Sequence, residues 1–273
     1  MRSYKKAFGN AVIMWIVGAS PIFFSVIYSI IDKDENHNSI AMAISLFIGG
    51  LLAAFVMSAE YKICLKNYAV KPRADILLLV VLTAFFYMLC IMFIVYRNVL
   101  SGEPDGGAEE VIYLVLASTI APIGEELIFR FAMLTLLLIA SNGSAIKHAV
   151  SIVLISAAWM IMHFPSSFTR VAELMAAGII IGFIYLKSEN IIYSIAFHIT
   201  ANATVYTLAC FYKQIYAREY LLYIGLALFV ICGIILFLRM NNMKNNEAFL
   251  SGTAKISSNR LQPHENKSDI YEQ

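Results

Sequence analysis

Three short stretches place polar side chains in otherwise apolar surroundings. They are Gly124-Glu-Glu-Leu-Ile-Phe-Arg130, Trp159-Met-Ile-Met-His163 and His198-Ile-Thr-Ala-Asn202. Glu126 and Arg130 are four residues apart, so on a helix they share a face and can form a charge-assisted pair. Glu125 lies about 100° further round and cannot share that arginine. One carboxylate is matched and one is spare. A spare carboxylate held away from water suits a general base. The plainer alternative is a structural ion pair beside a second glutamate that faces solvent.

His163 taken alone is an interfacial histidine at a helix end, with Trp159 one turn back to pack against its ring. His198 and Asn202 lie one turn apart on a single face, where a buried His–Asn hydrogen bond is the plainer alternative. The set is stronger than its parts. Either these six side chains face one another in a polar cavity, or each must be compensated separately, because polar groups inside apolar segments are costly. His163 and His198, with a carboxylate or amide oxygen, form a ligand set for a zinc-like divalent ion or a cradle for an activated water. The chain contains no Gly-rich phosphate loop, GxSxG or HExxH. His37, His148 and His264 fall in expected loops or the tail and take no role.

The elements that carry these residues follow from composition. The chain has 273 residues, 60% hydrophobic and 14% charged, with a mean hydropathy of +0.74. A soluble domain carries roughly 45–50% apolar and about 25% charged residues. The excess lies in long blocks with few charges, which excludes a cytosolic enzyme, a secreted disulfide scaffold and a disordered chain. A net charge of +2 without a basic patch argues against a nucleic-acid partner. Cys64, Cys90, Cys210 and Cys232 show no CxxC spacing and are expected as packing residues.

The sequence predicts an all-α, polytopic membrane bundle of about eight spans around a polar intramembrane cavity. The spans are expected at Phe8–Ile31, Ile40–Ala59, Ile76–Tyr96, Val111–Ala140, Ala149–Phe164, Val171–Leu186, Ile191–Phe211 and Tyr220–Leu238. The first is too long for a signal-peptide core of roughly 7–15 residues. In the fourth, Pro122 is expected to bend or break the helix. Residues 1–240 form the bundle and 241–273 a polar, disordered cytoplasmic tail. Fourteen of the 20 Lys and Arg fall on the side of the N-terminus and five on the other, with Arg130 inside the fourth span. Both termini are therefore expected to be cytoplasmic, in the cell membrane. Counting ~1.5 Å per residue across a core of ~30 Å puts Glu126 ~8 Å, His198 ~11 Å and His163 ~21 Å from the inner boundary. The three can meet only if the span ends or the fifth helix differ from this layout.

The order Glu-Glu-x-x-x-Arg, aromatic-x-x-x-His, His-x-x-x-Asn resembles the CPBP family. This family includes type II CAAX prenyl endopeptidases and bacterial Abi or bacteriocin-immunity proteins. The resemblance spans roughly residues 111–211, and Trp159 departs from the family's usual Phe. It implies an intramembrane endopeptidase of glutamic or metallo type. In that reading Glu125 activates water, His163 helps to hold the water or a metal, and His198 and Asn202 hold it and polarise the scissile carbonyl. Glu126 and Arg130 orient the site. The implied substrate is a lipidated or hydrophobic peptide cut near its terminus, in peptide maturation or bacteriocin self-immunity. The competing readings are a non-catalytic immunity or scaffold protein and a proton-coupled transporter, the latter disfavoured by the lack of repeats.

Overall fold

The computed structural model describes residues 2–31, 35–95, 118–210 and 220–243. Among them every regular element is helical, as the composition predicts. The helices are α1 (Arg2–Ala19), α2 (Ile22–Ile31), α3 (Glu35–Tyr61), α4 (Ala74–Val95), α5 (118–140), α6 (Ala145–Met162), α7 (Phe168–Ser188), α8 (Ile191–Cys210) and α9 (Tyr220–Met243). Six segments are long and apolar enough to cross a membrane: α1 with α2, and α3, α4, α6, α7 and α9. The other two expected spans are α8, a shorter apolar helix, and α5, which carries the charges. This is a multi-pass membrane protein. The expected tail from residue 244 on lies outside the described residues, as do the first residues of the expected fourth span.

Two details differ from the sequence reading. The first span is two helices, divided at Ser20–Pro21, because the proline has no N–H to continue the ladder. Pro122, by contrast, does not break α5, which is α-helical over 118–126. The irregularity comes later, as a π-helical stretch over Leu127–Leu134, before α-helix resumes at Thr135–Ala140. Wide turns of this kind recur at functional sites. All eight side chains of the stretch are buried, and it touches α1, α3, α6, α7 and α8. α5 is the central helix.

The ends of the surrounding helices are set locally. Ser144 caps α6 by accepting from Lys147 N at 3.5 Å, and Ser167 caps α7 by accepting from Arg170 N at 3.2 Å. α6 ends because Phe164 takes a left-handed φ of 43° and Pro165 follows. At the start of α8, Ile191 N donates to Tyr68 O at 2.7 Å, anchoring it on the turn between α3 and α4. Burial, and secondarily the charge of Glu189, push the Tyr68 phenol up to about 12, so the side chain of the same residue stays neutral.

α3 lies unusually close to α5 where the polar residues begin. A Cβ on Gly124 would collide with the backbone carbonyl of Leu46 in α3. Only the missing side chain lets the two backbones meet, as small residues do between membrane helices. Gly124→Ala is therefore expected to lower stability by about 1–3 kcal/mol, read as a fall in Tm of the detergent-purified protein. An unchanged Tm would remove this contact from the account.

Candidate active site

Glu125 and Glu126 stand at the last turn before the π stretch, on the most enclosed helix of the bundle. Glu126 is 0% and Arg130 1% exposed. Their side chains pair, with Arg130 Nη1 3.1 Å from Glu126 Oε1, and Arg130 Nη2 also donates to Gly178 O on α7 at 3.4 Å. Gly178 permits this because α7 packs hard against α6 there: a Cβ at Gly178 would lie 2.9 Å from Ser156 Cβ. The guanidinium also sits 5.2 Å over the Trp159 ring.

The two histidines are held by the same logic. His198 Nδ1 is 3.0 Å from Glu126 Oε1, and His163 Nδ1 is 2.9 Å from Trp159 O. A carbonyl oxygen and an arginine-paired carboxylate only accept, so each Nδ1 carries a hydrogen, and in the neutral ring Nε2 presents a lone pair. Both Nε2 atoms point toward the same oxygen: Glu125 Oε2 is 3.8 Å from His163 Nε2 and 3.9 Å from His198 Nε2. Those gaps are too long for direct hydrogen bonds and suit a bridging water, which can donate to Glu125 Oε2 and to one of the two imidazoles at a time. Trp159 completes the ring by donating its indole N–H to Glu125 Oε2 at 2.5 Å.

Glu125, His163 and Asn202 line one cavity of about 500 Å³. Its walls are otherwise mostly apolar, with Met42 and Leu46 of α3, Phe129 of α5, and Phe164 beyond α6. The structure thus brings Glu125, Glu126, Arg130, His163 and His198 into one cluster and sets Asn202 on the wall of the adjoining cavity. The depth mismatch between Glu126 and His163 shrinks to about one helical turn when heights are counted from the turn joining α5 and α6. Glu125 is 15 residues before Ala140 and Trp159 is 14 residues after Ala145, so the two stand level, with His163 one turn beyond. The count from Val111 failed because a 30-residue span of ~45 Å exceeds the ~30 Å core it was measured against.

Sequence reasoning assigned Trp159 a packing role and missed its donor role. The signal was present, since an indole one turn before His163 carries an N–H that most aromatic rings lack. The Gly178 carbonyl carried no signal at all.

Nitrogen donors from His163 and His198 with a glutamate oxygen are chemically apt for a zinc-like ion. The distances are less apt, because ligand atoms of a tetrahedral zinc lie roughly 3.4 Å apart. Among the described residues no group of three or more His, Cys, Asp or Glu is placed to hold a metal. The residues present do not fit the ion as they stand.

The fold and site define a polytopic helical membrane protein with a carboxylate–imidazole cluster among its central helices. Residues 107–204, a little over a third of the chain, match the family described as type II CAAX prenyl endopeptidase Rce1-like. This stretch is similar to CAAX-protease domains, consistent with the CPBP resemblance of the three motifs. No curated protein and no solved structure matches the chain.

Proposed function

We propose that the protein is an intramembrane endopeptidase that hydrolyses a peptide bond near the terminus of a lipidated or hydrophobic peptide. One observation carries this reading: His163 Nε2 and His198 Nε2 converge on Glu125 Oε2 at 3.8 and 3.9 Å, separations that a bridging water suits. In the mechanism, Glu125 takes a proton from that water as oxygen attacks the scissile carbonyl. One imidazole Nε2 accepts the water's other hydrogen and so fixes its position, and the Asn202 amide donates to the oxygen that becomes negative. The tetrahedral intermediate collapses, and Glu125 returns its proton to the leaving amine. Glu126 and Arg130 hold His198 and Trp159 in place without touching substrate. The apolar walls favour a hydrophobic or prenylated peptide over a charged one.

The bilayer is the other partner in this reading. Both termini face the cytoplasm across the cell membrane, and the setting is peptide maturation or bacteriocin self-immunity. The decisive comparison is between membrane peptidomes of cells expressing wild type and His198→Ala at matched protein levels. A terminal cleavage product absent from the variant supports the assignment. Identical peptidomes, with the variant still rescuing a deletion phenotype, would sink it in favour of a non-catalytic scaffold.

The mechanism runs through water, so dialysis against a chelator is expected to change the rate less than about twofold. A loss reversed by zinc would instead place His163 and His198 on a metal, whose contribution would be Lewis acidity.

A further inference from the structure

We propose that Trp159 is a positioning residue for Glu125, its indole N–H fixing the carboxylate oxygen that faces both imidazoles. This rests on the endopeptidase reading above. The oxygen that accepts from Trp159 Nε1 is the same Oε2 that lies 3.8 and 3.9 Å from the two Nε2 atoms. A glutamate side chain has several rotatable bonds, and among the described residues no other hydrogen bond ties down Oε2. With the indole on one lone pair, the carboxylate keeps further acceptor sites for the attacking water.

Trp159 can do this because it is itself immobilised. It is 3% exposed, and its ring stands edge-to-face against His163 at 4.6 Å and His198 at 5.4 Å. The Arg130 guanidinium covers the ring. The Trp159 backbone carbonyl also holds His163 Nδ1, so one residue sets both the carboxylate rotamer and the tautomer of one imidazole. A purely apolar ring at this position would fill the space but leave the carboxylate free to turn.

The test uses the full-length protein in proteoliposomes, with an internally quenched farnesylated CAAX peptide as probe. Trp159→Phe keeps an aromatic ring and removes the donor. The expected result is a fall in kcat of about 10–100-fold, the scale of a small misplacement of a reacting group, with KM changed less than about twofold. If Trp159→Phe folds poorly, β-(3-benzothienyl)alanine at position 159 supplies nearly the indole shape without the N–H. A second readout is independent of turnover. The chain has two tryptophans, so in a Trp15→Phe background the indole Raman spectrum belongs to Trp159 alone. Its N–H hydrogen-bond marker band is expected to shift on Glu125→Ala.

An unchanged kcat in the isostere, or an indole band indifferent to Glu125→Ala, overturns the proposal. A band that responds in a protein that cleaves nothing supports the contact and overturns the endopeptidase reading, so the two failures are distinguishable.

Discussion

Glu125→Gln should abolish hydrolysis and leave the fold intact. The amide is nearly isosteric, and its oxygen can still accept from the Trp159 indole, so the bond that seats residue 125 survives. What is lost is the ability to take a proton from water. General-base catalysis contributes roughly 10²–10⁴-fold, and the initial rate on a quenched prenylated peptide is expected to fall by that factor. Tm should stay near that of wild type, because no buried charge loses its partner. Glu126→Gln provides the contrast, since it disturbs the seating of His198 and Arg130 rather than the base. A Glu125→Gln protein that keeps its rate within a few-fold of wild type would remove Glu125 from the chemistry. The base would then have to be sought among the two imidazoles.

The largest expected effect on stability is Arg130→Met. Methionine matches much of the volume, but Glu126 then keeps, among the described residues, only the His198 ring as a hydrogen-bonded side-chain neighbour. Breaking a buried pair from one side costs about 3–5 kcal/mol, because it leaves an uncompensated charge. Solubilised Arg130→Met should unfold well below wild type or fail to accumulate. The double variant Arg130→Met with Glu126→Gln removes both charges together and is expected to recover much of that loss. It should remain impaired in activity, since His198 loses its carboxylate partner and Trp159 its cationic cover. A single Arg130→Met with wild-type Tm would mean that the pair at 3.1 Å contributes little. The cycle between the two singles and the double isolates that coupling.

Much of this arrangement was legible because bilayer chemistry is unforgiving. A four-residue spacing within an apolar run predicts the Glu126–Arg130 contact, and the surplus of apolar residues predicts helices throughout. The polar residues of three separate segments pointed to a shared cavity for the same reason, since each alone would be costly. What the pattern could not convey was local. Nothing in Leu127-Ile-Phe-Arg-Phe-Ala-Met-Leu134 signals a π stretch, because that distortion arises from packing against five neighbouring helices. Pro122 drew attention to the wrong place in α5, whereas Pro21 divides a run long enough to pass for one helix. Absolute depth was misjudged because a helix longer than the bilayer has no self-evident end. The donor role of Trp159 depended on which way a ring edge turns, and spacing is silent on that.

The apolar walls of the cavity have a consequence for how such an enzyme must be measured. On the proposed endopeptidase reading, Met42, Leu46, Phe129 and Phe164 favour a ligand that dissolves in lipid rather than in water. Such a peptide meets the protein by lateral diffusion in two dimensions. Its effective concentration is a mole fraction in the bilayer, and adding inert lipid dilutes it even when the amount per millilitre is constant. A Michaelis constant quoted in micromolar would then describe the vesicle preparation. Quoted per lipid, it would describe the protein.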